Sequence, residues 1–180
     1  MERCRLVFSG SGGQGLITAA IILAEAAVIY EGLNAVQAQS YGAAARGGVT
    51  RSDIIIDDTE INFPKVTQPN ILVCLTQEAY DQSFGIIRPG GLLLTDSALV
   101  RTKRKADARQ RSLPLYRSVQ EQIGKTIVLN ICMLGALQAL TQVVGLDSLL
   151  KVISSRVPSQ FFELNKKALD LGVELAQNQW

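Results

Sequence analysis

Apolar residues fall first in a short run, Arg5–Ser9, that stops at a glycine cluster, and then in a long stretch from Gln14 to Glu31 rich in Ala, Leu and Ile. This pattern predicts a strand, a tight turn and a helix. Asn34–Gln39 predicts a second strand, Ser40–Gly48 a loop of small residues, and Val49–Asp57 a third strand whose Ile54-Ile55-Ile56 run implies burial on both faces. After the prolines Pro64 and Pro69, Ile71–Leu75 predicts a fourth strand and Gln77–Ile87 a helix, and the turn Arg88-Pro89-Gly90 leads into a fifth strand, Gly91–Thr95. Thr126–Val144 reads as an apolar helix and Leu146–Ser155 as a shorter one, with Pro158 at the first turn of a final helix to Gln177. Alternation of this kind belongs to the α/β class: one domain over residues 1–180, a three-layer α/β/α sandwich around a mostly parallel, Rossmann-like sheet.

Three stretches depart from a simple pattern. The predicted helix from Leu16 to Tyr30 carries Ile17, Ile21, Ile22, Leu23, Val28 and Ile29 around much of its circumference, and Ile127–Leu140 breaks its apolar run only at Asn130 and Gln138. Either these helices are central in the sandwich or another subunit covers them, in which case the isolated chain is expected to form a homodimer. Arg101–Arg111 holds Arg101, Lys103, Arg104, Lys105, Arg109 and Arg111 with no apolar anchor. It is expected to be an exposed loop, with docking of acidic partners as its other use; without interleaved aromatics it offers bases no stacking surface.

Composition narrows the function. The chain has 180 residues, 47% hydrophobic and 19% charged, enough for one packed core. A formal net charge of +2 gives no general field for nucleic acid. There is no histidine, and Cys4, Cys74 and Cys132 stand singly, so no C-x-x-C pair is available for an iron–sulfur cluster or zinc and no disulfide framework is implied. A reducing cytoplasm is the expected location. Leu16–Tyr30, interrupted by Thr18 and Glu25, falls short of the ~20 apolar residues of a membrane span. Basic Met1–Arg5 and Ala24-Glu25-Ala26 have the look of a signal peptide, but the glycine loop Ser9–Gly15 splits its hydrophobic region.

Two loops carry the candidate chemistry. Gly10-Ser11-Gly12-Gly13-Gln14-Gly15 satisfies G-x-G-x-x-G between a strand and a helix, where glycine permits close approach and the helix N-terminus can receive a phosphate or carboxylate. A dinucleotide site would need an acid at the end of the second strand, which here ends Val36-Gln37-Ala38-Gln39. A stand-alone NAD(P)- or flavin-binding enzyme and a turn without ligand remain the alternatives. In Ser40-Tyr41-Gly42-Ala43-Ala44-Ala45-Arg46-Gly47-Gly48, one guanidinium sits among small residues, free to pair with an external anion or with an internal acid such as Asp53 or Asp57.

Together, the two loops resemble the gamma subunit or gamma domain of the 2-oxoacid:ferredoxin oxidoreductases. The likeness extends to Pro69–Val73, Pro89-Gly90-Gly91, Asn130–Gly135 and Glu163–Ala168, nearly the whole chain. The resemblance implies a complex that decarboxylates a 2-oxoacid on thiamine diphosphate, passes electrons through iron–sulfur clusters to ferredoxin and transfers the acyl group to coenzyme A. Alpha, beta and ferredoxin-like delta subunits would be its partners, and this chain would hold no cofactor of its own and be inactive in isolation. The resemblance carries a positioning role to Gly10, Gly12, Gly13, Gln14, Gly15, Tyr41, Gly42, Arg46, Gly47 and Gly48, near the coenzyme A or thiamine diphosphate region, and leaves the 2-oxoacid open. Many members have Pro and Glu after Ser-Tyr-Gly; Ala43 and Ala44 stand there in this chain.

Overall fold

The computed structural model describes residues 3–41, 48–102 and 107–178. Its elements are β1 (Cys4–Ser11), α1 (Leu16–Glu25, widening into a π-turn at Ala26–Tyr30), β2 (Asn34–Tyr41), β3 (Val49–Asp57), β4 (Ile71–Cys74), α2 (Gln77–Ser83) and β5 (Gly91–Asp96). Then follow β6 (Ala108–Leu113), α3 (Leu115–Gln122), α4 (Leu129–Thr141), α5 (Leu146–Arg156) and α6 (Ser159–Gln177). The strands form one sheet in the order β2-β3-β1-β4-β5-β6. Only β3 runs against the others: it pairs antiparallel with β2 and β1, while β1, β4, β5 and β6 are mutually parallel.

Alternation along the strands decides the layers. Leu6, Phe8, Ile54, Ile56, Val73 and Leu94 face the larger apolar cluster, shared with α1, α3, α4, α5 and α6. Val7, Ile55, Leu72 and Leu93 face the opposite side, where Tyr80 of α2, Val66 and Val100 cover them. Helices therefore flank both faces, unequally. Ile54, Ile55 and Ile56 are all buried, the two-sided burial that the run implied.

Helix α4 is buried from Leu129 through Leu137 because α6 lies directly on it. Backbones meet there: a Cβ on Gly172 would overlap the Cys132 carbonyl oxygen, and one on Gly135 would overlap the Leu169 carbonyl oxygen. Its cover thus comes from within the chain. The end of α1 is different, with Val28, Ile29 and Tyr30 exposed, and Ile127 just before α4 is 79% exposed.

The structure corrects two expectations. Within Arg101–Arg111, residues 103–106 lie outside the described residues, but the stretch from Ala108 is strand β6, pairing with β5 from Gly91↔Ala108 to Asp96↔Leu113. Backbone pairing makes it a strand; only Leu113 of its six residues is buried, so no apolar alternation announced it. Helix α3 was also missed, since it contributes only Leu115, Ser118 and Val119 to the interior.

Cys74 and Cys132 are buried, and burial pushes each thiol up to about 12 from its ordinary value near 9. At pH 8 their thiolates are therefore scarce, and a thiol reagent is expected to modify at most Cys4 in the folded chain but all three cysteines in denaturant; rapid native labelling of Cys74 would contradict this packing. The α4–α6 contact predicts that Gly172→Ala destabilises the fold by ~3 kcal/mol, read as a lower urea midpoint, because neither backbone can yield without moving a helix. A midpoint unchanged from wild type would show that the helices do not meet here.

Candidate functional site

At the end of β1 the chain must reverse at once to start α1. Gly13 and Gly15 take the required left-handed conformations, with φ of 87° and 71°, which would cost another residue ~1–2 kcal/mol each. Gln14 locks the turn: its Oε1 accepts the Ser11 N–H at 2.8 Å and its amide donates to the Leu75 carbonyl at 3.5 Å. Gly10 lies directly beneath, where a Cβ would overlap that same Gln14 oxygen. On the far side, the Gly15 carbonyl accepts the Ala19 N–H at 2.9 Å and Asn130 Nδ2 at 3.1 Å. Helix α1 has neither a side-chain cap nor an acidic residue in its first turn, so the positive end of its dipole is left uncompensated.

The second loop is anchored beside the first. Tyr41 pairs with Thr50 across β3, and Thr50 pairs on its other side with Gly10. A Cβ on Gly12 would lie 3.8 Å from Thr50 Oγ1. Gly48 immediately precedes β3, so both described ends of the loop stand at the edge of the sheet that carries the glycine turn. Gly42, Arg46 and Gly47 lie outside the described residues. The internal acids considered for Arg46 have other guanidinium partners: Asp57 pairs with Arg3, and Asp53 with Arg51 at 2.6 Å.

The glycine turn sits where the sheet order changes direction, with β3 and β2 to one side of β1 and β4, β5 and β6 to the other, the crevice where ligands of open α/β sheets bind. A cavity of about 560 Å³ opens there between Gly13, Gln14, Thr76 and Tyr116. A second, of about 510 Å³, lies behind Gly13 and Gly15 and is lined by Ile22, Asn130, Ile131 and Phe161, with Lys125 at its wall. Ile127 borders both. Beneath the first cavity, buried Asp96 accepts the N–H groups of Tyr116 at 2.6 Å, Ala98 at 2.8 Å and Leu99 at 3.2 Å. Burial nonetheless raises its pKa above the usual carboxylate value.

The dinucleotide alternative loses its geometry. The strand beside β1 on this side is antiparallel β3, which begins Val49-Thr50, and β2 lies one strand further out. Of the other acids, Glu25 pairs with Arg156, and Glu31 accepts the Gly145 N–H at 2.8 Å and the Ser148 hydroxyl at 2.5 Å, which lower its pKa. Among the described residues no group of three or more His, Cys, Asp or Glu is placed to hold a metal ion, and no helix is long and apolar enough to cross a membrane.

The profile of the pyruvate ferredoxin/flavodoxin oxidoreductases matches residues 5–175. The chain belongs to this family. Within it the chain is a gamma-type subunit of the 2-oxoacid:ferredoxin oxidoreductases. It is 45% identical to the 2-oxoglutarate synthase subunit KorC of Methanocaldococcus jannaschii, over 97% of this chain and 95% of that one. To the pyruvate synthase subunit PorC of Methanothermobacter marburgensis it is 31% identical, over 93% and 94%. The crystal structure of a keto/oxoacid ferredoxin oxidoreductase gamma subunit from Geobacter sulfurreducens superposes with a TM-score of 0.88 at 43% identity, covering 97% of this chain and 99% of that one.

In this gamma chain the sequence signal for Asn130 was its place as a polar break in an apolar helix. Thr76, by contrast, went unremarked although it caps α2 by accepting the Ala79 N–H at 3.2 Å. Tyr116, at the first cavity, gave no signal. Gly15→Ala is expected to lower stability by ~2 kcal/mol, from the left-handed backbone and a Cβ placed against the Asn130 amide. Asn130→Ala is expected to cost ~1 kcal/mol, through one lost, part-buried hydrogen bond to the Gly15 carbonyl. Urea unfolding measures both, and two neutral substitutions would mean that the turn and α4 are not coupled.

Proposed function

We propose that this chain is the gamma subunit of a complex that oxidatively decarboxylates 2-oxoglutarate, transfers the acyl group to coenzyme A and passes the electrons to ferredoxin. The observation that carries the reading is the glycine turn at the crevice between β1 and β4, beside an uncapped helix N-terminus, with Tyr41 and Gly48, the described flanks of the second loop, at the same end of the sheet. The 45% identity to a 2-oxoglutarate synthase subunit, against 31% to a pyruvate synthase subunit, favours 2-oxoglutarate as the acid.

The residues of this chain fit coenzyme A in kind. Backbone N–H groups at the start of α1 and the Lys125 ammonium suit its phosphates, and the apolar cavity beside Gly15 suits a long uncharged arm. They do not fit an iron–sulfur cluster, since the three cysteines are dispersed and two are buried. In this reading thiamine diphosphate and the clusters belong to alpha, beta and delta partners. Thiamine diphosphate supplies the decarboxylation and coenzyme A the acceptor thiol; the gamma chain supplies position. Gly10, Gly12, Gly13, Gln14 and Gly15 hold a rigid turn against the ligand. Tyr41, Gly42, Arg46, Gly47 and Gly48 bring a guanidinium to a carboxylate or phosphate at the subunit boundary, and the isolated chain is inactive.

Affinity purification through this chain is expected to retain thiamine diphosphate- and cluster-binding subunits. The retained complex should reduce dye with 2-oxoglutarate at a kcat/KM at least tenfold that with pyruvate, roughly a 1.4 kcal/mol preference. In that complex Arg46→Ala should raise the KM for coenzyme A about tenfold while the chain stays folded. Recovery of the chain alone, binding a nicotinamide or flavin nucleotide, would contradict the proposal, and an unchanged KM for coenzyme A in Arg46→Ala would remove the second loop from it.

A further inference from the structure

Large exposed apolar side chains are not scattered over this chain. Among the described residues Val28, Ile29 and Tyr30 close α1, Ile127 precedes α4 and Phe161 opens α6. A further one, Phe63, lies between Ile61 and Val66, which pack on the other side of the sheet. The first five share the side of α1, α4, α5 and α6. Ile127 and Phe161 rim the cavity behind Gly15, which Arg156 also lines. Arg156 pairs with Glu25, and the widened turn of α1 sets Ile29 one turn beyond Glu25, so an apolar line runs on from the cavity to the end of the helix.

Two features bear on what covers this line. At the end of α1 its charged groups are engaged within the chain: Glu25 with Arg156, Glu31 with the Gly145 N–H and the Ser148 hydroxyl, and the Lys151 ammonium 5.2 Å from the centre of the Tyr30 ring. They leave no field there to select an acidic or a basic partner, and Val28, Ile29 and Tyr30 line neither ligand cavity. The second feature is that relatives carry this module both alone and joined to further chain. The match spans 95% of the KorC subunit but only 36% of the ketoisovalerate oxidoreductase subunit VorA of Methanothermobacter marburgensis, at 29% identity. In VorA a covalent tether keeps the module beside the larger remainder of the chain at high effective concentration. A module without that tether must hold the same neighbour by buried surface, and lasting interfaces are the apolar ones.

We propose that the line from Ile127 to Tyr30 docks an apolar face of a separate subunit, the one that corresponds to the part of VorA lying outside this module. Single exposed apolar residues are ordinary, whereas a continuous line of them marks an association surface. A partner seated along it also closes the mouth of the cavity behind Gly15, because Ile127 and Phe161 belong to both. The ligand proposed for that cavity is then held at a subunit boundary, and water is excluded from its arm only in the assembled complex.

This inference rests on the reading of the chain as a subunit, and the experiment separates the two. The complex is purified through tagged wild type, Ile29→Glu, Ile127→Glu and Phe63→Glu. Ile29 and Ile127 are 61% and 79% exposed, and Phe63 64%, so each variant is expected to keep the wild-type unfolding midpoint. Wild type and Phe63→Glu are expected to retain the VorA-like partner equally at ~50 and ~300 mM salt, because an apolar contact is not screened. Ile29→Glu and Ile127→Glu are expected to lose about tenfold or more in affinity for it. Equal retention by all four chains, or an equal loss in Phe63→Glu, would overturn the inference while leaving the subunit reading intact. So would an isolated wild-type chain that sediments as a dimer while Ile29→Glu is monomeric and still retains the partner, which would give the line to a second copy. A wild-type chain that retains no oxidoreductase subunit at either salt would contradict the proposed function and the inference with it.

Discussion

The close crossing of α4 and α6 is the constraint on which the rest of this structure depends. Helix α4 is apolar around its circumference, and it can be buried on every side only because glycine removes the side chain from each helix where the backbones meet, at Gly135 and Gly172. A side chain at either place would force the two helices apart. Asn130, one turn along the same helix, would then lose its hold on the Gly15 carbonyl. The candidate site is in this sense built from below, since a helix–helix contact remote from any ligand sets the position of the glycine turn.

From the sheet side, the antiparallel strand β3 does comparable work. It carries the second loop back against β1, so that Thr50 lies between Gly10 and Tyr41. The described flanks of the second loop, Tyr41 and Gly48, therefore stand at the end of the sheet that carries the glycine turn. The same insertion moves β2 away from β1 and takes from the G-x-G-x-x-G motif the neighbour that a dinucleotide site requires. One topological feature thus favours the shared, interfacial ligand of a gamma-type subunit over a self-contained nucleotide pocket.

Much of this was legible in the residues. The Ile54–Ile56 run, the glycine turn and the Pro158 helix start all correspond to what the structure holds, because each is fixed by local periodicity or backbone chemistry. Strand β6 and helix α3 were not legible, since β6 owes its form to hydrogen bonds with β5 and α3 buries too little to show a periodic stripe. In the site, the glycines and Gln14 could be named from sequence, but the double hydrogen bond that makes Gln14 a lock could not, because Leu75 is 61 residues away. Thr76 and Tyr116 enter the crevice through topology alone.

The central claim is that both glycine loops of this gamma-type chain face coenzyme A within the assembled complex. Amide hydrogen exchange of the intact complex, with and without coenzyme A, tests it most directly. The account predicts slower exchange in peptides covering residues 10–18 and 40–50 when coenzyme A is added, with the flank of β6 unchanged. Exchange unaltered in both loops would contradict it and would leave the glycine turn as a device of folding alone.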